Sequence, residues 1–529
     1  MKERVHCIFI AAESKNALPL AINFTNIYSV EFPSPLNLVI TKNPDPSVTV
    51  GVTDAGIAGL AVLYGVNGAG KTAAMIDVAN AFGDDPHGRT AGGLIERDGK
   101  LYLRMGKALK GYTVKGEVAI SPASEDDFRC LSLFYTSSPF DTGRLTRLRK
   151  NRLAHDVSPI YGVRNAFDGL ALLEIRSALR MPFVDHGEIS VRLRVASVSN
   201  SLIAVMNKHG TGGNPNSAII RGAVGTAARK LSPREQMQLR CWLSLFVAVH
   251  EREGIAFPVK FIKLLDCFPS SMEPSEDLFA LWKVAIQACH GCMGMNEMTQ
   301  VMQLLQGLSE PRLAKVISKK YTPEQLDALI KQELQGYREG MRPCVDLRLL
   351  EFSMSKLSSG QMAYAMIFSS LYGGLQRASR KDGNHPVLIL LDEGEMFLHP
   401  QWQREYIAKL LEFAKEIPHL KGRLYFLLAT HSLIVAADAP PYSLINVATG
   451  KQENGFGLGP RSTLTDIYKV NVFHGEYSES EFKRIDDFIC KPTTKAYDLV
   501  NEIAGALADP HARDFLKAQI EEALGRSTE

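Results

Sequence analysis

The sequence predicts an α/β fold built on a parallel sheet, and three stretches predict it. The first is an apolar run, Leu60-Ala61-Val62-Leu63-Tyr64, that ends in Gly65-Val66-Asn67-Gly68-Ala69-Gly70-Lys71-Thr72 and passes into a helix-like segment. The second is Pro386-Val387-Leu388-Ile389-Leu390-Leu391, which delivers Asp392 and Glu393 at its C-terminal end. The third is Leu424-Tyr425-Phe426-Leu427-Leu428-Ala429, followed by Thr430-His431-Ser432. Short, unbroken apolar runs suit strands covered on both faces, as strands of parallel sheets are.

Composition sets the outer bounds. A chain of 529 residues holds more than one domain or one large elaborated domain. Its 45% apolar and 22% charged residues are those of a globular protein with a sizeable core. A net charge of +3 does not mark a nucleic-acid binder, although local basic patches could still serve. No apolar run reaches 18 residues, so no membrane span is expected. The N-terminus, Met1-Lys2-Glu3-Arg4-Val5-His6, lacks a signal-peptide pattern, and eight scattered cysteines point to reduced thiols in a cytoplasm. The single CxxC, Cys289 to Cys292, has no second ligand pair; buried thiols are expected there rather than zinc.

The elements follow in order. Residues 5–12 and 36–42 read as strands, with a segment carrying Phe24 and Tyr28 near them. A polar loop, 44–59, leads to the strand at 60–64. Leu94–Arg97 and Leu101–Leu103 form an expected hairpin through Asp98-Gly99. Leu131–Tyr135 is a short apolar strand. Arg144, Arg147, Arg149, Lys150 and Arg152 read as a solvated face rather than a phosphate-binding surface. Residues 189–195 alternate as a strand does, and His209–Ser217 is a Gly/Asn/Pro loop. From about 218 to 340 the pattern is helical: Leu239, Trp242, Leu243, Phe246 and Val247 share one face, and Ser232-Pro233 and Thr322-Pro323-Glu324-Gln325 open helices. No sustained heptads occur, so a coiled-coil arm is not expected. In the tail, Ser443–Thr449 with Gly455–Gly459 reads as a small hairpin, before helices at about 479–489, 494–507 and 510–524. Phe515, Leu516, Ile520 and Leu524 make an apolar stripe on the last one.

The chemistry sits in four places. The loop meets GxxxxGK(S/T) in full. Its glycines let backbone N–H groups turn toward phosphate oxygens, so Asn67, Gly68, Ala69, Gly70, Lys71 and Thr72 are candidate nucleotide contacts. Lys71 can reach the β- and γ-phosphates, and the Thr72 hydroxyl can ligate Mg²⁺. Leu357-Ser358-Ser359-Gly360-Gln361 precedes a helix and offers hydroxyls and backbone donors, so Ser358, Ser359, Gly360 and Gln361 are a second anion-binding candidate. Asp392 can hold Mg²⁺, and Glu393 is placed to act as general base toward water. His431, at the end of the next strand, can contact the γ-phosphate or that water.

Taken in order, Gly-x-Asn-Gly-x-Gly-Lys-Thr, Leu-Ser-Ser-Gly-Gln, the apolar strand with Asp-Glu, and Thr-His-Ser resemble an ABC-class ATPase. Thr72 and Leu357 lie 285 positions apart, much farther than in transporter subunits, so the chain looks like the soluble branch with SMC, RecF and OLD-type ATPases. Asp392 to Gln403 is similar to the DE-x-E-x-x-LHP stretch of RecF-like and OLD-like proteins, with Gly394 where proline is commoner, a departure not expected to touch the chemistry. The resemblance covers about 1–145 and 345–450. It implies an ABC-type P-loop ATPase head in two halves, 1–145 and 346–450, with an inserted, mainly helical lobe over 146–345 and a helical tail over 451–529 for which partner docking is a minority reading. Length, insertion and tail look most like the PtuA-type ATPases of Septu systems and Septu-carrying retrons, with the AriA type of PARIS second.

That resemblance implies ATP and Mg²⁺ as cofactors, and a homodimer or higher oligomer closing through its ATP sites, with the 358–361 signature of one copy facing Lys71, Thr72, Asp392, Glu393 and His431 of the other. It implies a sensor or regulator of a partner nuclease, of HNH or Toprim type, in anti-phage defence, with DNA or retron RNA–DNA as further candidate partners. The alternative is a RecF-like repair ATPase that binds DNA. A transporter subunit is disfavoured by the insertion. After His431 there is no DxD of the kind a Toprim nuclease needs; the nearest acidic pair is Asp486-Asp487, so no nuclease centre is expected in this chain. Transporter and SMC relatives carry a glutamine after the strand that here ends in Ser137-Ser138-Pro139-Phe140-Asp141, and Ser138 and Asp141 are the candidates to replace it.

Overall fold

A computed structural model describes residues 3–11, 19–34, 37–44, 52, 54–66, 68–80, 91–106, 111–116, 118–123, 129–138, 148, 153–158, 167–193, 245, 248, 295–308, 319–347, 349–379, 385–468 and 476–528. The chain divides into two compact units, Met1–Phe456 and Gly457–Glu529.

In the first unit, strands β1 (Glu3–Ile10), β2 (Leu20–Asn23), β3 (Tyr28–Ser34) and β4 (Asn37–Lys42) precede β5 (Ile57–Tyr64), the strand that feeds the glycine loop. Helix α1 (Lys71–Asn80) follows. Strands β6 (Ala91–Arg97), β7 (Lys100–Arg104), β8 (Thr113–Gly116), β9 (Ile120–Pro122), β10 (Leu131–Thr136) and β11 (Ala154–Asp156) complete the N-terminal half. Then come α2 (Gly169–Ile175), α3 (Pro182–Asp185), β12 (Glu188–Leu193), α4 (Met295–Leu308), β13 (Lys320–Tyr321), α5 (Pro323–Gln332) and α6 (Arg338–Asp346). The last stretch runs β14 (Leu350–Ser355), α7 (Ser359–Ser379), β15 (Val387–Asp392), α8 (Pro400–Lys415), β16 (Leu424–Ala429), α9 (Leu433–Asp438), β17 (Leu444–Asn446) and β18 (Gln452–Glu453).

The central sheet has the order β11-β10-β15-β16-β5-β17-β18 and is parallel from β11 to β17. Every residue of β10, β15 and β16 is buried, which explains their unbroken apolar sequences. The glycine-loop strand β5 and the acid-bearing strand β15 flank β16, so all three carry their functional residues to one end of the sheet. Helix α1 packs over β10, β15 and β16 and buries Met75, Ile76, Val78 and Ala79. A second sheet, β2-β1-β6-β7-β9, covers the other side of α1 through β1. Gly59 makes the join between the two sheets possible: a Cβ there would lie 2.6 Å from the Phe24 carbonyl, whose oxygen accepts from Leu60 N–H. The expected hairpin is present, with Arg97 opposite Lys100 and positive φ at both Asp98 (50°) and Gly99 (80°), as a two-residue turn of this hand requires.

The insertion is not all helix. Its strands β12 and β13 form a sheet with β14, so the insertion and the segment before the signature share one sheet. Helix α5 starts as its sequence dictates, with Thr322 and Gln325 in a reciprocal capping box and Pro323 at the first position. A buried ion cluster ties α2, α6 and α7 together. Asp168 caps α2 through Ala171 N–H and receives two bonds from the Arg342 guanidinium, which also donates to the Gly373 carbonyl. The helical face of Leu239 to Val247 (apart from residue 245), the turn at Ser232, the basic run at 144–152, the loop at 209–217 and the CxxC lie outside the described residues.

Two tail expectations need correction. The hairpin partner of β17 is 452–453, not 455–459, and β17 itself extends the central sheet alongside β5. Gly455 packs instead against the α9 carbonyl of Ala436. In the second unit, helices α10 (Glu476–Cys490), α11 (Thr494–Gly505) and α12 (Pro510–Thr528) bury Ile485, Phe488, Val500, Ala504, Ile520 and Ala523 among themselves. Phe515 is 64% exposed and outside that core, because neighbours on a helix point about 100° apart and Leu516 takes the inward place.

Candidate functional site

The end of β5 turns into the glycine loop through Gly65. Gly68 and Gly70 hold φ of 81° and 90°, which side-chain-bearing residues rarely adopt. Asn67 lies outside the described residues. Ala69 N–H donates to the Val66 carbonyl, and Ala74 N–H to Gly70, so the loop runs straight into α1. Lys71 is 5% exposed. Its Nζ donates to the carbonyls of Gly65 (3.1 Å) and Val66 (3.4 Å) and lies 2.6 Å from His431 Nε2. Burial lowers the Lys71 ammonium from its ordinary value, while the carboxylates of Glu393, Asp392 and Glu395 raise it. Burial and the Lys71 charge lower His431, against an upward pull from Glu393, which leaves a neutral imidazole to accept from Lys71.

Asp392 closes β15. Its Oδ2 accepts from the hydroxyls of Thr72 (2.9 Å) and Thr136 (3.3 Å). Its Oδ1 is buried with no hydrogen-bond partner among the described residues. Burial pushes the carboxyl up to about 6; the Thr72 and Thr136 hydroxyls and Lys71 oppose this, and Glu393 adds to it. A buried carboxylate oxygen without a donor, beside a threonine hydroxyl, is a hard-oxygen set of the kind Mg²⁺ takes. Thr72 and Asp392 therefore fit the metal that the sequence assigns to them.

Glu393 sits in the left-handed region with φ of 51°, a strained place for a residue with a Cβ. Its N–H donates to the Ala429 carbonyl of β16, and its own carbonyl accepts from Met396 N–H. The turn swings the side chain back over the strand end, where Oε1 lies 3.4 Å from His431 Nε2. Lys71, Thr72, Asp392, Glu393 and His431 thus form one connected cluster, drawn from three neighbouring strands and separated in sequence by up to 360 positions.

The signature residues stand apart from that cluster within the chain. Ser358 and Gln361 cap α7 reciprocally, Gln361 N–H donating to the Ser358 hydroxyl and Ser358 N–H to the Gln361 side chain. Ser358 and Ser359 are exposed, and no hydrogen bond joins residues 358–361 to the cluster among the described residues. Gly360 instead packs near the Phe397 carbonyl and the Trp402 ring, where a Cβ would approach to 3.1 and 3.3 Å. Trp402 stacks on Phe183 of α3 at 5.6 Å and meets Tyr364 of α7.

Three features of the site go beyond the motif reading. Thr136 reaches Asp392 from the end of β10; of the candidates to replace the glutamine, Asp141 lies outside the described residues and Ser138 N–H donates to the Thr136 hydroxyl. The available signal was the pairing of β10 with β15, which sets Thr136 opposite Asp392. Glu395 is buried and hydrogen-bonds to Thr430, an interaction no spacing rule announces. Gly394 also has a local cause, since a Cβ at that position would lie 2.2 Å from the Tyr406 hydroxyl.

A strand–glycine-loop–helix unit, an acid-bearing strand one place removed in the same parallel sheet, and a capped serine helix farther along the chain make a P-loop α/β fold. No protein-family model and no curated protein matches the sequence. Among solved structures, the chain is similar to one titled as the recombination mediator protein RecF-ATPrS in the RecFOR pathway. The match has 10% identity, covers 86% of this chain and 98% of that one, and has a TM-score of 0.28. No described helix is long and apolar enough to cross a membrane.

Proposed function

We propose that this chain binds and hydrolyses ATP with Mg²⁺, and that its nucleotide state governs a partner nuclease of HNH or Toprim type in bacterial anti-phage defence. The observation that carries the ATPase reading is the cluster of Lys71, Thr72, Asp392, Glu393 and His431 at one sheet end. Thr72 and Asp392 would hold a Mg²⁺, which would supply positive charge toward the triphosphate. Lys71 neutralises charge on the β- and γ-phosphates, and Glu393 takes the proton of the attacking water while His431 orients the γ-phosphate. The exposed Ser358 and Ser359 at the start of α7 are available to a second copy, and the exposed apolar residues Val66, Met396 and Phe397 support such a contact. The defence role, the nuclease partner and the PtuA-type assignment rest on the resemblance of the motifs, the insertion and the tail.

The test has two arms. Purified chain should turn over ATP, and Lys71→Ala should weaken nucleotide binding by at least about a hundredfold; unchanged affinity would sink the ATPase reading. Cells carrying the chain with its neighbouring nuclease gene should resist phage, and deleting either gene should remove resistance. ATP-dependent, salt-sensitive DNA binding with no effect on phage plating would favour the repair alternative instead.

A further inference from the structure

We propose that Glu395 is a positioning residue for ATP hydrolysis: its buried carboxyl anchors the Thr430–Ser432 turn and so holds His431 between Lys71 and Glu393. This rests on the reading of the site as an ATPase centre.

Glu395 is 4% exposed, unusual for a carboxylic acid and costly unless the group is well partnered. Its partners lie in the strand-end turn of β16. The Thr430 hydroxyl donates to Glu395 Oε1 in a short hydrogen bond, and the same hydroxyl oxygen accepts from Ser432 N–H at 2.9 Å. The His431 backbone also favours the charged carboxyl. Burial pushes Glu395 up to about 7, with the Thr430 hydroxyl and that backbone pulling against it and Glu393 adding to it.

The contacts form a ring. The Ser432 hydroxyl donates to Gln403 Oε1 at 2.7 Å, Gln403 Nε2 donates to the Leu398 carbonyl at 3.0 Å, and Leu398 N–H donates to the Glu395 carbonyl at 2.9 Å. The ring joins the 395–403 segment, which begins two residues after Glu393, to the 430–432 turn that contains His431. Thr430 N–H donates to the Leu63 carbonyl of β5, so the same turn is also fixed to the glycine-loop strand. His431 has no side-chain contact inside the ring; its imidazole faces Lys71 and Glu393. Breaking the ring at Glu395 frees the backbone that sets the imidazole, while leaving the phosphate loop and Asp392 with their own partners. Small misplacements of a reacting group are expensive in rate and cheap in binding.

The experiment is a double-mutant cycle on the full chain, with kcat and KM for ATP measured for wild type, Glu395→Ala, His431→Ala and the double variant. Glu395→Ala should lower kcat by about tenfold to a hundredfold with KM within about twofold. In the His431→Ala background the same change should cost less than about twofold, because its route runs through the histidine. Glu395→Gln keeps an acceptor for Thr430 and should retain more activity than Glu395→Ala. Equal losses with and without His431, or a raised KM with kcat unchanged, would overturn the proposal. Should Glu395→Ala fail to fold, Thr430→Val breaks the ring from the other side and runs through the same cycle. A wild-type chain without ATP turnover refutes the ATPase reading and this inference with it; turnover with independent losses refutes this inference alone.

Discussion

Gly394 offers a sharp test of how the acid-bearing turn is packed. Added to the backbone, a Cβ would lie 2.2 Å from the Tyr406 hydroxyl oxygen and 3.3 Å from its Cζ, with Leu391 Cβ at 3.9 Å. Tyr406 cannot swing away, since it is 1% exposed on α8. Its hydroxyl has no hydrogen-bond partner among the described residues. Gly394→Ala should therefore destabilise by about 1–3 kcal/mol, the usual cost of overpacking a filled site. Tyr406→Phe alone should stay within about 1 kcal/mol of wild type, on the stabilising side, because it removes a buried hydroxyl that gains nothing in return. Combined, the two changes leave the new Cβ facing Cζ, and most of the loss should return. The measurement is the unfolding midpoint of the four proteins in guanidinium, with a coupling energy of at least about 1 kcal/mol expected. Penalties that simply add, to within about 0.5 kcal/mol, would refute the clash as the reason for glycine. Proline at this position carries a Cβ too, so the same tyrosine accounts for the departure from the commoner sequence.

Other outcomes follow from the site and its surroundings. Glu393→Gln should keep ATP affinity within about threefold and lower turnover by about a hundredfold or more, as loss of a general base does; single-turnover assays showing normal hydrolysis would remove the base assignment. Asp168→Ala leaves the Arg342 guanidinium buried beside only Asp346 and the Gly373 carbonyl, and should cost about 3–5 kcal/mol in denaturant unfolding; a loss below 1 kcal/mol would show that the cluster is not a structural tie. His6 is wholly buried between Thr25 and Glu96, and burial takes its imidazole down to about 4, with Glu96 pulling the other way. As pH falls from 6.5 toward 4 the unfolded chain takes up a proton that the folded chain refuses, so stability should drop by up to roughly 3 kcal/mol across that window. His6→Gln should flatten this drop. The raised carboxyls of Asp392 and Glu395 favour folding as pH falls, but they are common to both proteins and cancel in the comparison. An unchanged pH slope in the variant would rule out His6 as its source.

The parts of the fold that are legible in the sequence are those whose physics is local. Strands β15 and β16 announce themselves because a strand buried on both faces has no room for polar residues. The Asp98-Gly99 turn and the Thr322–Gln325 cap are read directly, since each needs particular residues at fixed offsets. The hairpin after β16 is not legible, because the glycines at 455–459 look like a turn whereas β18 is only two residues long and carries no pattern of its own. The sharing of β12 with β14 joins positions more than 150 apart in sequence, and nothing in either strand names its partner.

The candidate site divides in the same way. Lys71, Thr72, Asp392 and Glu393 are visible because phosphate and metal chemistry demand those residue types beside a strand end. Thr136 and the Thr430 partner of Glu395 are not, because a hydroxyl at a strand end is unremarkable until the neighbouring strand is known. What joins the visible and hidden parts is the engagement of Lys71. An ammonium has three donors, and here Gly65, Val66 and His431 take all three. A triphosphate entering the loop competes for the same donors and must displace at least one acceptor. The backbone carbonyls are fixed by the loop, and His431 is fixed by the turn that Glu395 and Thr430 hold. The same imidazole nitrogen lies 3.4 Å from Glu393 Oε1, which it can meet only as a donor, once it no longer accepts from Lys71. On the proposed reading, a phosphate that drew Lys71 away would free His431 Nε2 to carry a proton and donate it to the Glu393 carboxylate.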